Sequence, residues 1–280
     1  TFYVGSLYGH TLAAVDLADL TVPKLLWMTY DYQPHGMSVS DDGTRLYMSE
    51  AALDDAKDFS GLTVLDVTQV QNRTLNPTVP IVSRTTWPNV GTPQTTEPFT
   101  QNGHRYLMET DEYGSGSHVG AARIIDMTDE KKPFVISNLR LQVHQADIRK
   151  ANPSMEDDPG VNTPLSFAQD YTGHFCNVPT LVDPPIVACG MAVSGLRIFN
   201  IQDPYHPYEA AYFTAPVQKR VEPEGSNWAY SMPAFVPERK EVWYSEAYTG
   251  FYAVKITNGA WPDAKAAPSA PLAPPVAPPV

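Results

Sequence analysis

The chain has 280 residues, 27 of them proline and 17 glycine, so turn-formers occupy 44 of 280 positions, above the roughly 12% of an average protein. That density of helix breakers excludes an all-helical protein, and 42% hydrophobic residues exclude global disorder. A net charge of −12 excludes non-specific binding to nucleic acid or anionic lipid, and no run approaches the roughly 18 apolar residues of a membrane-spanning helix.

Five seven-residue segments resemble one another along the chain: TLAAVDL (11–17), GLTVLDV (61–67), AARIIDM (121–127), GLRIFNI (195–201) and GFYAVKI (250–256). Each is an apolar strand whose second-last residue is polar: Asp16, Asp66, Asp126, Asn200 and Lys255, at intervals of 50, 60, 74 and 55 residues. The first four are followed by another strand: PKLLWMTY, PIVSRTTW, PFVISNLRLQV or PYEAAYFTA. The last four are preceded by a hairpin. MSVSDDGTRLYMSE (37–50) turns at Asp42-Gly43 and EPFTQNGHRYLMET (97–110) at Asn102-Gly103, both strong tight-turn signals. CNVPTLVDPPIVACG (176–190) and MPAFVPERKEVWYSE (232–246) follow the same grammar. An Asp at the end of the repeated strand can cap the following turn through its side chain, a role that Asn200 performs less strongly.

Four antiparallel strands every 50 or so residues is the period of a β-propeller blade, because one such sheet cannot bury both faces alone and must stack on neighbours around an axis. The reading is therefore all-β, a propeller of four-stranded antiparallel blades over 1–257. Lettering the strands A to D outward from the axis, residues 1–30 supply B, C and D. Residues 33–85, 95–140 and 142–215 supply three whole blades, and 228–256 supply A, B and C. The two ends do not complete each other, so about five blades of a ring of about seven are expected, with N-terminal blades missing. Residues 149–172 read as a long insertion loop, and the Pro/Ala-rich stretch 258–280 as a disordered tail.

The copies GLTVLDV, ARIIDM and GLRIFNI, each leading to a proline, resemble the LVIVD-repeat family of β-propellers. The stretch HFCNVPTLVDPPIVACGMAVSGLRIFNIQDPYHPYEAAYF (174–213) and the segment VHQADIRKANP (143–153) are similar to its secreted or envelope actinobacterial members. The resemblance implies an exported propeller, secreted or held in the cell envelope, and carries no catalytic residues with it.

Cys176 and Cys189 lie symmetrically about the turn LVDPP and should face each other across two strands. A disulfide is expected, with a reduced buried pair or a metal-binding thiol as the alternatives. The starts of the innermost strands point toward the channel, which singles out His35, Glu97, His174, Asn177 and Trp228 as candidate contacts for an unknown protein or small-molecule ligand. The aromatics from Trp228 to Tyr244 otherwise read mainly as core. No nucleotide-binding or serine-hydrolase motif appears, so a binding scaffold without cofactor is the leading reading. Two alternatives differ in class. One is a copper-type oxidoreductase using His35, His144 and His174, since imidazole suits copper and selenium-binding-protein propellers are distantly similar. The other is a calcium-dependent, lactonase-like hydrolase, for which Glu97 and Asn177 are the available axial oxygens.

Overall fold

A computed structural model describes residues 1–52, 59–114, 118–151, 171–216, 228–247 and 249–262. Eighteen strands form five antiparallel sheets in chain order. The first holds β1 (Phe2–Ser6), β2 (Thr11–Asp16) and β3 (Lys24–Thr29). The second holds β4 (Pro34–Val39), β5 (Arg45–Glu50), β6 (Gly61–Asp66) and β7 (Ile81–Thr85). The third holds β8 (Thr92–Gln101), β9 (His104–Tyr113), β10 (Ala122–Asp126) and β11 (Phe134–Leu139). The fourth holds β12 (Phe175–Asn177), β13 (Ile186–Gly190), β14 (Leu196–Asn200) and β15 (Tyr208–Phe213), and the last holds β16 (Ala234–Val236), β17 (Glu241–Glu246) and β18 (Gly250–Lys255).

The repeated segment is the same strand each time: β2, β6, β10, β14 and β18. Its Asp or Asn closes the following turn by accepting the N–H two residues on: Asp16 from Ala18, Asp66 from Thr68, Asp126 from Thr128 and Asn200 from Gln202, at 2.7–3.0 Å. Asn200 thus keeps the bond that Asp makes elsewhere. A bulge follows the fourth residue of the segment in four sheets, at Ala14/Val15, Val64/Leu65, Ile124/Ile125 and Ile198/Phe199, and adds twist to each outer strand pair.

The hairpins form as expected, with one difference in turn type. Asn102 and Gly103 both take positive φ (52° and 78°) in a two-residue turn between β8 and β9. The turn at Asp42-Gly43 is wider. Ser40 accepts from the Gly43 N–H at 2.8 Å, and only Gly43 has positive φ (70°).

Cohesion lies between the sheets. Leu12, Ala14, Leu46, Met48 and Leu65 fill the space between the first and second. Leu62, Val64, Trp87, Leu107 and Ile125 fill the next. Met108, Ile124, Val187 and Phe199 fill the third space, and Ile186, Ile198, Val242 and Tyr244 the fourth. Arg45 reinforces the second space with a two-point bond to Glu130, at 3.0 and 2.8 Å.

The outward faces of the first and last sheets are uncovered. Phe2 and Val4 occupy the sheet positions of Leu46 and Met48, yet are 53% and 45% exposed where those two are 0%. Phe251 holds the position of Leu62 and is 62% exposed against 0%.

Two expectations change. The fourth sheet begins at Phe175, not at 142, because Gln142–His144 and Ala146–Ala151 are helical turns that lead away from β11. Most of the expected insertion loop, at 152–170, and the tail beyond residue 262 lie outside the described residues, whereas residues 258–262, expected as part of that tail, place Trp261 in the core between the fourth and fifth sheets, against Phe235.

Candidate ligand site at the axial mouth

The innermost strands of the last four sheets all begin at one end of the ring. His35 is the second residue of β4, and Gln94 the third of β8. His174 precedes β12 and ties to β13 by donating its N–H to the Gly190 carbonyl, at 2.9 Å. Tyr230 precedes β16 and does the same to the carbonyl of Ser245, at 3.4 Å. Gly190 and Ser245 are register-equivalent, and Ser231 donates to the same carbonyl at 3.2 Å, so Tyr230 and Ser231 together take the place of His174 in the fifth sheet. Between them comes Glu112, near the end of β9, where that strand outruns its β10 partner.

These side chains meet. His35 Nε2 lies 3.5 Å from Glu112 Oε2, and His174 Nε2 lies 3.5 Å from Glu112 Oε1. Tyr230 Oη donates to Glu112 Oε1 at 3.1 Å. The His174 ring stacks on Tyr230, with centroids 3.7 Å apart and planes 19° from parallel, and Trp228 leans on Tyr230 from 5.7 Å.

The remaining contacts fix the tautomers. His35 Nδ1 faces the Pro93 carbonyl at 2.9 Å, and His174 Nδ1 faces the Tyr230 carbonyl at 2.5 Å. A carbonyl only accepts, so each Nδ1 carries the proton. His174 Nε2 then accepts from the Gln94 amide at 3.1 Å. Burial pushes the His35 imidazole below its ordinary value, against the opposing pull of Glu112. Burial would also raise the Glu112 carboxyl. The His174 contact and charge, the charge of His35 and the Tyr230 hydroxyl together outweigh it and hold that carboxyl below the usual glutamate range.

Behind the mouth, Arg123 on β10 forms a buried ion pair with Glu109 and a second with Asp111, at 2.7 Å, while its guanidinium lies 4.1 Å over the Trp87 ring. Trp87 Nε1 donates to the same Asp111 oxygen at 3.1 Å. These bonds anchor the strand end that carries Glu112.

His35 and His174, expected to converge, do so around Glu112, with Trp228 on the same side. Glu97 stands apart on β8. It is half-buried, without a hydrogen-bond or ion-pair partner for its carboxylate among the described residues, and burial pushes its carboxyl up to about 7. Asn177 is committed to structure. Its Nδ2 donates to the Pro233 carbonyl at 2.9 Å, and its Oδ1 accepts from the Val178 N–H at 2.8 Å.

His144 does not belong to a channel set with His35 and His174. Its Nδ1 accepts from the Leu141 N–H at 3.2 Å and its Nε2 faces the Tyr171 carbonyl at 2.8 Å. Neither nitrogen keeps a lone pair for a metal, and burial pushes this imidazole down to about 3. Among the described residues, no group of three or more His, Cys, Asp or Glu side chains is arranged to hold a metal ion.

Glu112, Gln94 and Tyr230 escape the sequence reading. Aligning the segments just before β12 and β16 would have placed Tyr230 opposite His174. Nothing in the sequence marks Glu112 apart from Glu109 and Asp111.

Cys176 and Cys189 are register partners on β12 and β13, with Cα atoms 4.1 Å apart, and form the expected disulfide inside the core between the third and fourth sheets. Such bonds persist in oxidising compartments.

No family profile matches the chain, and no curated protein matches its sequence. Solved structures do match its shape. One is a putative 6-phosphogluconolactonase from Bacteroides fragilis, with a TM-score of 0.59 and 11% identity, over 92% of this chain and 64% of that one. Another is the β-propeller domain of Myceliophteria thermophila Cps50 (Swd1), with a TM-score of 0.50 and 10% identity, over 94% of this chain and 67% of that one. The chain thus spans just under two thirds of the length of the first. The fold is that of a β-propeller, with four-stranded antiparallel sheets as its blades, and no helix among the described residues is long and apolar enough to cross a membrane.

Proposed function

We propose that the chain is an exported propeller of the LVIVD-repeat type that binds a small ligand at its axial mouth. The observation that carries this reading is the meeting of Glu112 with His35, His174 and Tyr230, side chains drawn from four successive sheets. Packing alone gains nothing from gathering ionisable groups in a half-buried place, where each must be desolvated. Placing them at or beside strand ends on rigid sheets fixes their geometry, which is what a binding site requires. The disulfide supports an extracytoplasmic location.

The test is nuclear magnetic resonance of the His35 and His174 imidazoles during titration with small cationic, neutral and anionic probes. The reading expects at least one probe to move both sets of signals together, saturably, and Tyr230→Phe to weaken the response. Independence of both imidazoles from every probe would dispose of it.

A lactonase-type hydrolase is the second reading, favoured by Glu97, whose carboxyl at about 7 suits proton transfer near neutral pH, and by the fold shared with the putative 6-phosphogluconolactonase. It expects the purified chain to open gluconolactone faster than the spontaneous rate, with the excess lost in Glu97→Gln. The calcium-dependent form is weakened because both ends of the Asn177 amide are engaged. The copper-type oxidoreductase loses its third histidine, since both nitrogens of His144 bond to backbone.

A further inference from the structure

The groups at the mouth are matched in an unusual way: nearly all of them accept. Ionised Glu112 offers two oxygens. Tyr230 directs its hydroxyl proton to one of them, Oε1. His35 and His174 each direct their single ring proton outward, to the carbonyls of Pro93 and Tyr230. With both imidazoles neutral, their Nε2 lone pairs turn inward, toward the carboxylate. Gln94 satisfies the one on His174. The one on His35 faces Glu112 Oε2 across 3.5 Å, with no donor between them among the described residues. A lone pair and a carboxylate oxygen held that close repel unless a proton, or a positively charged donor, sits against both.

The neighbouring cations are engaged elsewhere. Arg123 is paired with Glu109 and Asp111, Arg140 donates to the Val119 carbonyl, and Arg84 is paired with Glu50. Tyr230 borders the carboxylate through its hydroxyl, with its ring stacked on His174. A net charge of −12 concentrates cations near the surface as well. Because the described residues include no metal-holding group of three, the complement to this geometry is a donor-bearing organic cation.

We infer that the mouth binds a primary ammonium group, with its N–H donors directed at Glu112 Oε2 and His35 Nε2. This rests on the binding reading above and names the ligand class of that same site.

Methylammonium, zinc and acetate, each as a simple salt at matched ionic strength, serve as probes in calorimetry and in imidazole resonance titrations of the 280-residue protein. Methylammonium should shift the His35 and His174 signals together and saturably, with acetate inert. Glu112→Gln should weaken that binding at least about tenfold, whereas Glu209→Gln, in the ion pair with Arg197 on an outer strand, should leave it unchanged. If Glu112→Gln melts substantially lower than the parent, Glu112→Asp and Tyr230→Phe replace it, and both should weaken binding while keeping the melting temperature.

Binding of acetate without methylammonium would overturn the cation assignment while leaving a binding site. Binding of zinc alone would overturn the ammonium assignment in favour of a metal. Methylammonium binding that survives Glu112→Gln would place the ligand elsewhere and overturn it too. Silence from all three probes, with none in the wider panel moving the imidazoles, would remove the site itself.

Discussion

Leu62 and Phe251 stand at the same place in two copies of one repeat, the second residue of GLTVLDV and of GFYAVKI, yet their surroundings differ completely. Leu62 is 0% exposed among Trp87, Leu107 and Ile125, whereas Phe251 is 62% exposed and touches mainly the Trp243 ring, 5.7 Å away. Truncating a buried leucine to alanine removes its transfer free energy and leaves a cavity, about 2–5 kcal/mol in all, and a buried Phe→Ala costs about 3–5 kcal/mol. Phe251 keeps little more than a third of its surface out of water, so Phe251→Ala should cost only about 1–2 kcal/mol by the same reasoning. The larger side chain should therefore give the smaller loss. Urea denaturation of Leu62→Ala and Phe251→Ala, run beside the parent at low protein concentration, measures both. At about 2–4 °C per kcal/mol for a chain of this size, thermal melts should separate the two variants as well. Equal losses would mean that something covers the outward face of β18, and the assignment of uncovered end faces would be wrong.

Thiol titration of the unfolded protein without reductant should find no free sulfhydryl, and replacing Cys176 and Cys189 together by alanine should cost about 2–4 kcal/mol in urea melts. Arg123→Met should cost about 3–5 kcal/mol, because Glu109 and Asp111 would then be buried without their counter-charge; a loss under about 1 kcal/mol would show that the pair draws its support elsewhere. Burial raises the Glu97 carboxyl to about 7. The folded state therefore holds a proton that the unfolded state releases from about pH 4.5 upward, and stability should fall as pH rises through that window. Glu97→Gln should flatten this slope, equalling the parent near pH 4 and exceeding it near pH 8 in stability measured across pH.

Part of the site was legible before any coordinates. The starts of the innermost strands were expected to face the channel, and His35 and His174 meet because the repeat sets both at the same end of successive sheets. The same rule applied to Asn177 fails, since a residue further along its strand turns its amide to a neighbouring backbone. His144 fails for a different reason. The chain after β11 folds into a helical turn, and the backbone of Leu141 and of Tyr171 engages both of its nitrogens.

The sequence by itself determined the five-sheet order, because the alternation of apolar residues, the turn residues and the Asp or Asn that ends four of the five repeated strands are local and recur with the repeat. It also determined the disulfide, because hairpin symmetry about LVDPP makes Cys176 and Cys189 partners whatever surrounds them. Only the tertiary structure decided that Glu112, and not its neighbours Glu109 and Asp111, reaches the axis. Alternation along β9 and the embrace of Arg123 send those two into the wall, while the strand end leaves Glu112 between imidazoles from other sheets. Such a meeting joins residues as far apart as 35, 112, 174 and 230, and which of them touch is set by how sheets rotate about a common axis, a quantity no local pattern encodes.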